Sequence, residues 1–270
     1  MTNNPSSDIK QCCVRLYEGD VAAMLLGESF HPGGAALTER LGHLLNLTRD
    51  SSVVDVASGK GTSAFHLAQR FGCRVSGIDL SQQNVNRATA EAARLGITDR
   101  VRFECGDAEQ LPLGNESADA VICECAFCTF PDKPLAAREF ARVLRRGGRV
   151  GLSDITRVPD RSDELNDLMA WIACLADARS AETYAAWLTD AGLAVAVVEA
   201  HDDSLKELVR EIGSRLFATE VLAALKKIDL PGIDFEAARR MAHQARVAVD
   251  RGEIGYAIVC ATKDQSTIHW

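Results

Sequence analysis

Proline is scarce in this sequence, seven residues in a chain of 270, and neither an internal repeat nor a low-complexity tract interrupts it. With 47% hydrophobic and 25% charged residues, collagen-like and disordered architectures are excluded. Basic residues are also few: 30 Lys and Arg face 38 Asp and Glu, the net charge is -8, and no basic cluster stands out. A nucleic-acid backbone is therefore repelled rather than drawn in. No stretch reaches the roughly 18 uncharged apolar residues of a membrane span. The start, Met1 to Asp8, is polar and lacks the basic residues and apolar run of a signal peptide. The expectation is a cytoplasmic protein with no nucleic-acid or membrane partner.

The cysteines lack an even number. Nine cannot all pair, and a reducing compartment would keep them as free thiols. Cys73, Cys105 and Cys260 fall in or beside strand-like runs and are expected to be small core hydrophobes.

From Ser51 onward, strand-like and helix-like patterns alternate, as in a parallel sheet covered by helices on both faces. Strands are expected at Val53 to Ala57, Arg74 to Leu80, Val101 to Cys105, Ala118 to Glu124 and Arg149 to Asp154. Helices are expected at Gly61 to Phe71, Gln82 to Leu95 and Lys133 to Leu144. Beyond Asp154, Ser162 to Ala178 and Ala181 to Ala191 read as helices and Leu193 to Glu199 as a sixth strand. Leu205 to Arg251 is almost all helical, and Gly255 to Ala261 is a last strand. A helical stretch of about 45 residues is longer than a crossover needs, so part of it is expected to cover a site. The chain divides into an N-terminal helical cover (1–50), a core (51–155) and C-terminal strands carrying a helical insertion (156–270).

The junction Val53-Val54-Asp55-Val56-Ala57-Ser58-Gly59-Lys60-Gly61-Thr62 puts two glycines where the chain must turn sharply and admit a ligand to the backbone. Gly59 to Ala64 fits the loose fingerprint G-x-G-x-x-A, and Asp79 lies about 20 residues on, as a ribose-binding acid should. NAD and S-adenosylmethionine both remain possible on that pattern. Asp55, before the glycines, and Asp107, after the third strand, separate them, because an acid in the third loop can meet an exocyclic adenine amine. The order D-x-x-x-G-x-G, an acid ending the second strand, G-D-A-x-x-L-P (Gly106 to Pro112) and R-V-L-x-x-G-G (Arg142 to Gly148) resembles the class I S-adenosylmethionine-dependent methyltransferases over residues 51–155.

That resemblance implies a Rossmann-like, seven-stranded, mostly parallel sheet with the last strand reversed, helices on both faces, and N- and C-terminal helical cover. It implies S-adenosylmethionine as cofactor, with Asp79 on the ribose hydroxyls, Gly59 and Gly61 against the methionine part, Asp55 supporting that loop, and Asp107 with Ala108 beside the adenine. Ala57, Ser58 and Leu80 belong to the same expected cofactor surface. Without a ligand, Asp55 would cap a turn, Asp79 cap a helix and Asp107 begin a loop.

Three thiols cluster after the fourth strand, in Cys123-Glu124-Cys125-Ala126-Phe127-Cys128, with Cys123 and Cys125 on one side if the strand continues. Followed by Pro131-Asp132-Lys133, and with Trp171-Ile172-Ala173-Cys174 and Ala191-Gly192-Leu193 downstream, this pattern resembles the arsenite methyltransferases. Cys125 and Cys174 match that family's cysteine positions; Glu28 stands where a further cysteine would fall. The resemblance implies that Cys125 and Cys174 hold a trivalent metalloid whose lone pair attacks the cofactor methyl, with a thiol reductant as possible co-substrate. Both thiols must be deprotonated to ligate it. Cys12, Cys13, Cys128, Tyr17 and His31 are further substrate-site candidates. The composition of His31-Pro32-Gly33-Gly34 suggests an exposed turn.

Other readings stay open. Cys123, Cys125, Cys128 and Cys12 or Cys13 could hold a structural zinc, although paired C-x-x-C knuckles are missing and no metal is expected. The thiols could simply be core residues. The enzyme could methylate a small organic nucleophile, or the chain could be a non-catalytic thiol binder of metalloid or metal.

Overall fold

The computed structural model of the protein describes residues 31–158, 177–225, 227 and 234–264. Helix α1 (Gly34–Leu44) precedes β1 (Ser52–Val56), α2 (Thr62–Phe71), β2 (Arg74–Asp79), α3 (Gln82–Leu95), β3 (Val101–Cys105) and β4 (Ala118–Glu124). After a 3₁₀ turn (Phe127–Thr129) come α4 (Lys133–Val143), β5 (Leu144–Arg157), α5 (Ala181–Asp190), β6 (Leu193–Ala200), α6 (Asp202–Ala224), α7 (Phe235–Asp250) and β7 (Ile254–Lys263).

Local chemistry sets the boundaries. The Ser81 hydroxyl accepts the N–H of Asn84 at the start of α3, and Gly96 ends that helix at a φ of 68°. The Asp132 side chain accepts the N–H of Leu135 and caps α4, whose first turn holds Pro134.

The strands form one sheet in the order β3-β2-β1-β4-β5-β7-β6. Strands β3, β2, β1, β4 and β5 run parallel, while β7 is antiparallel to both β5 and β6. This is the expected Rossmann-like sheet with its last strand reversed. Central strands read as nearly unbroken apolar runs because helices cover both faces: Val53, Val54, Val56, Val121, Ile122, Val150 and Leu152 are all buried. Each such side chain contributes about 1.5–3 kcal/mol of hydrophobic stabilisation. The edge strand β6 instead alternates, every second residue being exposed.

The sequence expectations need several corrections. Cys105 is exposed rather than core, because β3 is an edge strand, while Cys73 and Cys260 are buried. Burial pushes the Cys73 thiol up to about 11 and the Cys260 thiol up to about 12. Strand β5 begins at Leu144, through the Gly147-Gly148 pair, and a register shift against β4 between Ala118 and Ala120 absorbs the irregularity. The expected helical stretch after β6 holds two helices, α6 and α7, packed against each other. The helix expected over Ser162 to Ala178 lies almost wholly outside the described residues, as do Cys12, Cys13, Tyr17 and Cys174.

Candidate active site

The sheet order reverses between β1 and β4: the chain winds outward from β1 through β2 and β3, then from β4 to β5. In an open α/β sheet a crevice forms beyond the carboxyl ends of the strands at such a point. A cleft lies there. The residues just after β1, β2, β3 and β4 contribute to its wall, among them Gly59, Leu80, Asp107 and Cys125.

The floor is the turn after β1. Ala57 and Gly59 have φ of 59° and 54°, the left-handed region, and both line the cleft. A Cβ on Gly59 would meet no atom within 4 Å. Gly61, at a φ of 84°, differs: a Cβ there would stand 2.5 Å from Cζ of Phe103 and 2.9 Å from Cζ of Phe65. The structure does not bring Gly61 to the cleft; its missing side chain leaves room for two aromatic rings. Ser58 also turns away, its Oγ buried against Gly77.

Asp79 ties two loops together. One carboxylate oxygen accepts the N–H of Gly59 at 2.8 Å and the other that of Ser81 at 2.8 Å, so this acid orients the β1 turn and the start of α3 together. Leu80 is half exposed on the same wall. Asp107 accepts the N–H of Glu109 at 2.9 Å and lines the cleft beside Ala108. Asp55 lies beneath the cleft rather than on it. Its carboxyl takes the N–H of Ala64 in the first turn of α2, and its Oδ2 has no hydrogen-bond partner among the described residues. Burial, followed by the nearby charges of Glu124 and Asp79, pushes this carboxyl well above the usual range.

Beyond β4 the chain breaks its alternation. Cys125 takes a φ of 52° and donates its N–H to the Ser153 carbonyl at 2.7 Å. Asp154, fully buried in β5, holds the following turn by accepting the N–H groups of Ala126 and Cys128, each at 3.1 Å. Two non-glycine residues in the left-handed region, Ala57 and Cys125, thus flank the switch point, a form of strain that clusters at functional sites. Cys125 comes to the cleft half-buried, but Cys123 and Cys128 do not. Both are completely buried, and desolvation, with Asp154 and other acids around it, pushes the Cys123 thiol well up. The idea that Cys123 and Cys125 share a side fails because the strand stops between them, at Glu124. Among the described residues, no group of three or more His, Cys, Asp or Glu side chains is placed to hold a metal ion.

His31, expected at an exposed turn, is 7% exposed and lines the cleft. The reading from sequence passed over Glu124 as a cleft residue, together with Asn84, Thr129 and Phe130. Glu124 was hidden because it is the terminal residue of β4, and its partners come from distant elements.

The donor and acceptor set suits an adenosine-bearing cation. Two acids and the Oδ1 of Asn84, buried without a partner among the described residues, can accept from ribose and adenine. Ile78, Leu80 and Pro131 offer apolar surface for the base, and bare Gly59 leaves backbone accessible.

Comparison with known proteins agrees. Residues 54–152 match the family described as "Methyltransferase domain". Methyltransferase GfsG of Streptomyces halstedii is 33% identical over 59% of this chain and 59% of its own length. An arsenite methyltransferase of Halobacterium salinarum is 28% identical over 64% of this chain and 46% of its own. The chain therefore spans about three fifths or less of these curated relatives. A Haemonchus contortus phosphoethanolamine N-methyltransferase 2, solved with phosphomonomethylethanolamine and S-adenosylhomocysteine, superposes with a TM-score of 0.80 at 18% identity, over 96% of this chain and 60% of that one. Residues 54–152 are thus similar to a methyltransferase domain, set on the fold that the S-adenosylhomocysteine-bound neighbour shares.

Proposed function

We propose that this protein transfers the methyl group of S-adenosylmethionine to a small organic acceptor that enters the cleft beside Cys125, Glu124 and His31. The observation that carries the reading is the acid-lined, glycine-floored cleft at the β1/β4 switch point. In this reading Asp79 receives the ribose hydroxyls, with Asn84 and Leu80 beside it, and Asp107 with Ala108 borders the adenine. Ala57 and Gly59 lie against the methionine part. Asp55 and Ser58 act from beneath, Asp55 through the first turn of α2, and Gly61 acts through packing of the turn. The bound cofactor supplies an electrophilic methyl on a positively charged sulfur. The chain itself binds, orients and excludes water, and fixing two reactants in near-attack geometry is worth an effective molarity of about 10⁵–10⁸ M.

An organic acceptor is favoured because, of the three thiols after β4, only Cys125 faces the cleft, so the described residues do not assemble a thiolate pyramid. A second reading, methylation of a thiol-bound arsenite-like metalloid, is favoured by the placement of Cys125 on that wall and by the arsenite methyltransferase among the relatives. It requires Cys174 as second ligand, with Cys12 or Cys13 as candidate third, and a thiol reductant.

The test incubates reduced protein and labelled S-adenosylmethionine with phenols, amines, hydroxy acids, arsenite, antimonite and selenite. Labelled organic product supports the first reading. Methylated arsenite lost in both Cys125→Ser and Cys174→Ser moves the assignment to the second. Cysteine-dependent arsenite binding with no S-adenosylhomocysteine from any acceptor would leave a non-catalytic thiol binder.

A further inference from the structure

One wall of the cleft carries a polar group that cofactor binding does not use. Glu124 closes β4 with its side chain 3% exposed. Thr38 of α1 donates to its Oε2 at 3.0 Å, Ser153 of β5 donates to its Oε1 at 3.2 Å, and Nε2 of His31 lies 3.8 Å from Oε2. Nδ1 of His31 is 3.1 Å from the Pro32 carbonyl, an arrangement that fixes the ring by a donated Nδ1–H and turns Nε2 toward the Thr38 hydroxyl, at 3.4 Å, and Glu124. Both His31 and Glu124 line the cleft, as do Asp79, Asp107 and Cys125, but among the described lining residues there is no Lys or Arg. Among the described lining residues His31 carries the one imidazole, a side chain whose ring nitrogen can act as a general base.

We infer that His31, supported by Glu124, removes the proton of an acidic hydroxyl, so the acceptor class is a phenol or enol. The inference rests on the methyl-transfer reading above and narrows it. In the step, the acceptor's O–H bond breaks and its proton passes to Nε2 of His31. The acceptor oxygen forms a bond to the methyl carbon while the carbon–sulfur bond breaks, its electron pair staying on sulfur. The imidazolium then returns its proton to solvent. A thiolate-bound metalloid attacks through a lone pair and releases no proton, leaving the pair without a task. A protonated amine would bring a second positive charge against the sulfonium, whereas a hydroxyl brings none.

4-Nitrophenol is the probe, because its anion absorbs in the visible. Bound to protein loaded with S-adenosylhomocysteine, it is expected to ionise about tenfold more readily than in water, a shift of about one pH unit. His31→Gln and Glu124→Gln should each abolish the shift, and Glu124→Asp should keep part of it. With S-adenosylmethionine, methylation of the probe should fall about 10²–10⁴-fold in kcat in His31→Gln, with little change in KM. Calorimetry with S-adenosylhomocysteine separates the failures. If wild-type protein does not bind it, the methyl-transfer reading fails. If wild-type protein binds it, then no probe binding, no shift, a shift that survives His31→Gln, or turnover confined to amines or arsenite overturns the hydroxyl inference alone.

Discussion

Gly59 and Gly61 sit two residues apart in one turn and fit one sequence motif, yet the structure gives them separate tasks, and alanine substitution should separate them. At Gly61 an added Cβ must occupy space 2.5 Å from Phe103 and 2.9 Å from Phe65, at a φ of 84°. The left-handed backbone costs an alanine about 1 kcal/mol or more, and overpacking two rings about 1–3 kcal/mol. The sum, about 2–4 kcal/mol, corresponds to a melting temperature lowered by roughly 6–12 °C for a domain of this size. At Gly59 the backbone cost is similar, but a Cβ meets nothing within 4 Å, so Gly59→Ala should lose only about 1 kcal/mol, roughly 3 °C. Its methyl instead occupies the cleft that Gly59 lines, and S-adenosylhomocysteine binding should weaken at least about tenfold, equivalent to about 1.4 kcal/mol. Thermal melts of the ligand-free proteins and calorimetric titration with S-adenosylhomocysteine measure both. A Gly59→Ala variant that melts like Gly61→Ala, or binds like wild type, would refute the division of roles.

Other expectations follow from the same walls. Asp79→Ala leaves the N–H groups of Gly59 and Ser81 without their acceptor, about 1–3 kcal/mol for each one kept from water, and S-adenosylhomocysteine affinity should drop more than tenfold; a change within twofold by calorimetry would remove Asp79 from the site. Because the Asp55 carboxyl is raised in the folded state, its proton is held more tightly there than in the unfolded chain. That stabilisation is complete below the ordinary carboxylate range and is lost as pH rises through the raised value. Asp55→Asn should therefore gain in melting temperature relative to wild type as pH rises from about 4, the ordinary carboxylate value; a pH-independent difference contradicts the burial argument. Asp154→Ala frees the N–H groups of Ala126 and Cys128, and should speed reaction of the Cys125 thiol with a maleimide as the turn loosens; an unchanged rate would show that the turn holds without it.

Much of the fold was legible because its signals are local. Apolar runs of strand length, helix-period stripes, Ser81 as a start and Gly96 as a stop signal, and the acids after successive strands each act within a few residues. Their order in sequence was enough for a parallel sheet covered by helices, while the reversed last strand came only as what the resemblance to class I S-adenosylmethionine-dependent methyltransferases implies. The sequence could not separate Gly59 from Gly61, because Phe103, which fills the space at Gly61, belongs to β3, more than forty residues on.

Tertiary structure decided the rest. Three cysteines in six residues looked equivalent, but the left-handed turn at Cys125, held through Ser153 and Asp154 of β5, sends one thiol to the cleft and leaves its neighbours in the core. His31 reads as a surface turn residue until α1 packs beside β5 and its ring meets Glu124. Thr38 and Ser153 reach Glu124 from 86 and 29 residues away, and no local rule reports a carboxylate whose partners come from two distant elements. Periodicity and turn chemistry are properties of short segments and fix the frame. Which side chains face one another across the cleft depends on contacts between distant segments, and those exist only once the sheet has closed its switch point.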